Sequence, residues 1–169
     1  NKLIALLCNG YMKKYEFDVA NEETYIKNKK MCGGVIAFHL ATDDDITLVC
    51  YKIEDDKYSP LIRETKMNRE AEDDMHEMRN AYTTDIRYVS GMIVSYMCGA
   101  VSIIDTSGKK LYECEYDCNK TAVLLDGVYE YSPGELRKKY SFSQKSKVEE
   151  SYVVPTNIKS EYVYDYGNY

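Results

Sequence analysis

Tryptophan is missing altogether, phenylalanine occurs 3 times and histidine 2 times, whereas tyrosine occurs 18 times among 169 residues. With only His39 and His76 present, imidazole has few places to act as base or metal ligand. No apolar run approaches the roughly 20 residues that a membrane-crossing helix needs. The opening Asn1-Lys2-Leu3-Ile4-Ala5-Leu6-Leu7-Cys8 is too short for a signal-peptide core. Asn1 is not an initiator Met, which is consistent with removal of a tag, a Met or a signal ahead of it. No Gly-rich phosphate loop, Ser elbow or dinucleotide fingerprint occurs, which argues against nucleotide-dependent enzymes. Positive charge is in deficit as well, with 22 Lys and Arg against 28 Asp and Glu and a net charge of −6. Nonspecific nucleic-acid binding needs clustered cations and is disfavoured. A basic partner suits this balance, and an acidic surface can stand in for a phosphate backbone.

The apolar fraction of 44% and the charged fraction of 30% are those of a globular chain. A chain of this length suits one domain with a substantial core. The expectation is a single α+β domain over 1–169, mainly antiparallel sheet built from hairpins, with residues 141–169 as a polar, Tyr-rich C-terminal extension. Plentiful Tyr, Asn, Lys, Ile, Asp and Met together suggest an AT-rich genome. Tyr also favours strands and protein interfaces. Cys8, Cys50 and Cys98 stand in apolar or strand-like runs, where a thiol behaves as a small buried hydrophobe. This favours reduced cysteines in a cytoplasmic setting. Asn119-Lys120-Thr121 is a formal glycosylation triplet.

Hairpins dominate the pattern. Leu3–Cys8 and Tyr11–Val19 flank Asn9-Gly10, a strong two-residue turn. Residues 20–30 are polar and read as a loop. Val35–Ala41 and Ile46–Ile53 flank an Asp43-Asp44-Asp45 turn. Ser59-Pro60 has the form of a helix start. Met67, Ala71, Met75, Met78 and Tyr82 fall at helical spacing, giving one amphipathic surface helix with an acidic outer face. Ile86–Ile104 is β-like with bends at Gly91 and Gly99, and Lys110–Asp117 alternates as a strand. Thr121–Leu125 and Val128–Tyr131 flank Asp126-Gly127. Ser132-Pro133-Gly134-Glu135 has the spacing of a capping box, predicting a short helix over 134–140. No internal repeat is evident.

Three constellations bear on chemistry. Cys98-Gly99-Ala100-Val101 and Cys32-Gly33-Gly34-Val35-Ile36 resemble the nucleophile segment of chymotrypsin-like viral cysteine proteases, in which Gly after Cys frees a backbone amide for an oxyanion hole. Asp44-Asp45-Ile46-Thr47-Leu48 resembles the strand around that family's buried Asp. The resemblance implies a Cys-dependent hydrolase with Cys98 as nucleophile and His39 as base. Cys32 precedes both histidines, and Tyr96-Met97 stands where the family places Gly before its Cys. Cys114 and Cys118 form one loose thiol pair, short of the two knuckles of a structural zinc site. Glu64-Thr65-Lys66, with Asp55-Asp56 upstream, has the Glu-x-Lys form of a metal-dependent nuclease, but beside a predicted helix.

The sequence favours a binding or inhibitor protein with no catalytic set, metal or cofactor. Its expected partner is a protein with a basic surface, met in the cytoplasm of a host cell if the chain is of virus or phage origin. The expected contacts are the acidic helix face of Glu70, Asp73, Asp74 and Glu77, and the tail residues Tyr162, Tyr164 and Tyr166.

Overall fold

The computed structural model describes residues 2–8, 11–17, 25–42, 45–55, 57–67, 84–117 and 119–156. β1 (Lys2–Cys8) and β2 (Tyr11–Phe17) pair as the expected antiparallel hairpin, from Lys2↔Phe17 to Cys8↔Tyr11. The remaining strands form three four-stranded antiparallel meanders. The first sheet contains β3 (Tyr25–Cys32), β4 (Val35–Ala41), β5 (Asp45–Glu54) and β6 (Lys57–Met67). The second contains β7 (Asp85–Val89), β8 (Met92–Met97), β9 (Ala100–Ile104) and β10 (Lys110–Glu115). The third contains β11 (Thr121–Leu124), β12 (Gly127–Ser132), β13 (Glu135–Ser141) and β14 (Ser146–Val153). Strands follow chain order in every sheet, so each pairs with its sequence neighbour.

The α+β expectation is therefore overturned: the described residues are all-β and contain no helix. Ser59-Pro60 lies within β6, an edge strand, where a residue lacking N–H is tolerated. The ladder slips between Cys50 and Tyr51, where Tyr51 meets Pro60. Pro133 and Gly134 instead turn β12 into β13, and Ser132↔Glu135 closes that turn. Gly134 has φ +85°, as the third position of a type II turn after Pro requires. The same four residues satisfy helix-cap and hairpin-turn chemistry alike, and the apolar partner strands decide between them. Residues 25–30, read as loop, belong to β3. Met67 ends β6 with 71% of its surface exposed, and the rest of the helical stripe, Ala71 to Tyr82, lies outside the described residues. Part of the expected C-terminal extension, Ser146–Val153, is the edge strand of the third sheet.

Tight turns explain why the sheets are so regular. Gly33-Gly34, Ser90-Gly91 and Cys98-Gly99 each hold two successive residues at positive φ, the geometry of primed two-residue hairpins. What reads in sequence as one long β segment with two bends is thus three strands, β7, β8 and β9.

The sheets stack in layers with the second in the middle. Val35, Ala37, Ile46, Leu48 and Cys50 of the first sheet pack against Ile86, Ile93, Met97 and Ile104 of the second. The opposite face of the second sheet, with Val94, Tyr96, Val101 and Ile103, packs on Val123, Val128, Tyr140 and Phe142. Accordingly every residue of β8 is buried. Full burial of one large apolar side chain is worth about 1.5–3 kcal/mol, so this strand is a main source of cohesion. Equivalent strands align across the layers: β3 lies beside β7 and β10 beside β14.

An ionic clasp joins the last strands of the first two sheets. Lys110 Nζ lies 2.7 Å from Glu64 Oε1 and 2.8 Å from Glu113 Oε2, and Lys66 Nζ lies 3.2 Å from Glu113 Oε1. The Ser102 hydroxyl donates to Glu113 at 2.7 Å. Burial alone would raise the Glu113 carboxyl, but the hydrogen bonds from Lys110, Ser102 and Lys66 outweigh it and bring the pKa down from 4.5 to about 2. A depressed folded-state pKa contributes stability above the unfolded value, and that contribution is lost as pH falls through the folded one. Thermal unfolding followed between pH 5 and about pH 2 should therefore show a loss of melting temperature that Glu113→Gln flattens.

A second constraint is steric. A Cβ on Gly127 would collide with the carbonyl oxygen of Tyr140 on the neighbouring strand and come within 2.9 Å of Lys138 Cε. Gly127→Ala should cost about 1–3 kcal/mol in denaturant unfolding, the usual penalty for forced overpacking.

Candidate functional site

His39 is fully buried in β4, at the junction of the first two sheets. Its Nδ1 lies 3.1 Å from Asn28 Nδ2, and its Nε2 lies 3.0 Å from Ser95 Oγ. With the Asn28 amide donating to Nδ1, Nε2 carries the ring proton and donates to Ser95. The base that the protease resemblance requires is thus engaged by Asn28 and Ser95. Asp45, at the start of β5, is tied instead to Thr42, whose hydroxyl accepts the Asp45 N–H at 3.0 Å. Cys98 occupies the first turn position between β8 and β9 with φ +51° and is half-buried. The geometry of His39 lends no support to a Cys98–His39 pair.

The other described thiols are placed for packing. Cys32 and Cys50 are fully buried in the first sheet core. Burial pushes both thiols up to about 12, with Lys30 opposing the rise at Cys32 and the Cys32 sulfur adding to it at Cys50. They sit on β3 and β5 with β4 between them, and two strand spacings, about 9.5 Å, exceed the span of a disulfide. Cys114 is half-buried, and burial also raises its pKa against the opposing hydrogen bond with Tyr112. Its would-be zinc partner Cys118 lies outside the described residues. A thiol count on native protein should find Cys32 and Cys50 unreactive toward a water-soluble disulfide reagent until denaturant is added. Rapid native labelling of either one would contradict this burial.

The Glu-x-Lys pattern is also absorbed by the fold. Glu64 and Lys66 lie on β6, and both are spent on the clasp with Lys110 and Glu113.

The cleft between the second and third sheets is the arrangement best suited to meet another molecule. Two open depressions of about 310 and 360 Å³ adjoin there, and Tyr112 and Lys139 line both. The Tyr112 ring stacks on Tyr140, with centroids 4.9 Å apart and planes 20° from parallel. Tyr140 is in turn fixed in the core, 1% exposed. Burial raises the Tyr112 hydroxyl pKa, and Cys114, Glu130 and Glu149 raise it further. Carboxylates from Glu113, Glu115, Asp117, Glu130 and Glu149 surround the cleft. Lys120, Lys139 and Lys147 oppose them, with Lys139 already 2.8 Å from Glu149. The surroundings are net acidic with a rigid aromatic floor.

Sequence reasoning placed the acidic, Tyr-bearing contact surface elsewhere. Glu70, Asp73, Asp74, Glu77, Tyr162, Tyr164 and Tyr166 lie outside the described residues. It missed Tyr112, although the alternation of Tyr112, Cys114 and Tyr116 against Glu113 and Glu115 was visible. That these side chains face a third sheet was not visible. Among the described residues no helix is long and apolar enough to cross a membrane. No family model matches the sequence, and no curated protein matches it at a significant level.

Proposed function

We propose that this chain is a non-catalytic binding or inhibitor protein that holds a basic segment of a partner protein in the cleft between its second and third sheets. The observation that carries this reading is Tyr112: a ring backed by Tyr140, with its hydroxyl under the influence of Glu130 and Glu149. An Arg or Lys side chain laid on the open face of that ring gains a cation–π contact and a nearby carboxylate together. Glu115 and Glu130 are exposed and supply charge complementarity at the rim. Glu70, Asp73, Asp74 and Glu77, with Tyr162, Tyr164 and Tyr166, form the further contact surface of this proposal. The unbridged thiols Cys32, Cys50 and Cys114 support a reducing, cytoplasmic setting, that of the host cell for a virus- or phage-encoded factor.

The test is fluorescence anisotropy with a labelled arginine-rich peptide. The wild-type chain should bind it with an affinity that weakens as salt rises. Glu115→Lys with Glu130→Lys should weaken it at least tenfold, and Tyr112→Ala should do likewise. Binding unchanged by both alterations would place the contact elsewhere and sink the assignment to this cleft.

A further inference from the structure

β14 ends the third sheet, and among the described residues it pairs only with β13, on one side. Such a row of backbone donors and acceptors is a template for another strand unless something blocks it. β6, the last strand of the first sheet, carries Pro60 and is clasped to the second sheet by Glu64 and Lys66. β10, the last strand of the second, is short and bulged between Lys110 and Tyr112. β14 has eight residues and no proline, and it exposes Tyr152 at 46% and Val153 at 96%.

The sequence of β14 also complements itself. A two-fold axis perpendicular to a sheet reverses strand direction and keeps its faces. Two copies of one strand then pair only in registers centred on a single residue. Centres on Lys147, Glu149 or Glu150 set like charges opposite one another, and a centre on Ser151 forms no ion pair. A centre on Val148 brings Lys147 opposite Glu149 of the second copy, twice, with the two Val148 side chains meeting at the axis. Glu149 also holds Lys139 of its own sheet at 2.8 Å through Oε1, so the new contact adds to that pair rather than replacing it. Opposite charges directly across a ladder stabilise it and like charges destabilise it.

We propose that a second copy of this chain docks on β14, joining two third sheets into one eight-stranded antiparallel sheet centred on Val148. The contact is isologous, as a two-fold axis requires. It is small, so association is weak and concentration-dependent.

Sedimentation velocity on the full chain across a concentration series tests this. The wild type should pass from monomer to dimer as concentration rises. Glu149→Lys, which sets Lys147 against a second lysine, should raise the midpoint concentration at least tenfold. The swap Lys147→Glu with Glu149→Lys should bring it back to the wild-type range. Val148→Cys should form a covalent dimer under mild oxidation, beyond any background from the native thiols. A wild type that stays monomeric throughout, or a midpoint that ignores the charge reversal, overturns the proposal. So does a Val148→Cys chain that does not cross-link. Lys147, Val148 and Glu149 also border the cleft, but the peptide-binding test alters only Glu115, Glu130 and Tyr112, none of them on β14, so the two proposals are read from separate variants.

Discussion

Burial of the second sheet on both faces is the constraint from which the rest of this structure follows. β8 carries Met92, Ile93, Val94, Ser95, Tyr96 and Met97, and all six are buried. Side chains alternate across a strand, so a strand with no exposed position needs a cover on each side. The first sheet covers Ile93 and Met97, and the third covers Val94 and Tyr96. The polar residue in this strand must be satisfied internally, and Ser95 meets His39 from the layer opposite. The Asn28–His39–Ser95 chain is therefore explained by stacking: His39 on the first sheet and Ser95 on the second answer one another across the layers, and Asn28 on the neighbouring strand holds the other ring nitrogen.

The excess of tyrosine acquires a physical use in the same frame. Tyr96 packs edge-on against Tyr116, with ring centroids 4.9 Å apart, and Tyr112 lies flat on Tyr140. These rings fill the junction of the second and third sheets, where a chain without tryptophan and with three phenylalanines still needs wide side chains. Composition alone permits genome bias and interface contact as explanations for tyrosine. The structure adds core packing: the Tyr112 ring stacks on the buried Tyr140 and also lines the cleft.

Local pattern revealed most of the strands because their turns are local. Gly91 and Gly99 mark reversals, the expected Asp126-Gly127 turn lies one residue earlier, at Leu125-Asp126, with Gly127 already paired to Leu124, and the apolar runs between the turns have strand length. Two features resisted. Ser132-Pro133-Gly134-Glu135 is ambiguous by chemistry, since these residues serve helix starts and β-turns equally, whereas Ser59-Pro60 sits inside the edge strand β6, where the missing N–H of Pro is tolerated. The three-fold meander escaped notice because its units, Tyr25–Met67, Asp85–Glu115 and Thr121–Val153, differ in strand length, in loop length and in which faces are covered. An internal repeat that survives in topology but not in residue period leaves no signal for sequence comparison within the chain.

The cleft was illegible for a related reason. A site read from sequence is assembled from residues close together in the chain, as with the acidic stripe at 70–77. The cleft takes Tyr112 and Cys114 from β10, Val128 and Glu130 from β12 and Lys139 from β13, brought together by sheet-on-sheet packing. Its charge is also set by competition that only contacts reveal. Glu113 is held by two lysines and a serine, and Glu149 by Lys139. A carboxylate already paired offers a newcomer little net energy, because displacing its lysine forfeits the existing contact. Among the described residues, Glu115 and Glu130 take part in no such ion pair. On the proposed reading, that difference, rather than the total of acidic residues, singles out Glu115 and Glu130 as the rim for a basic side chain.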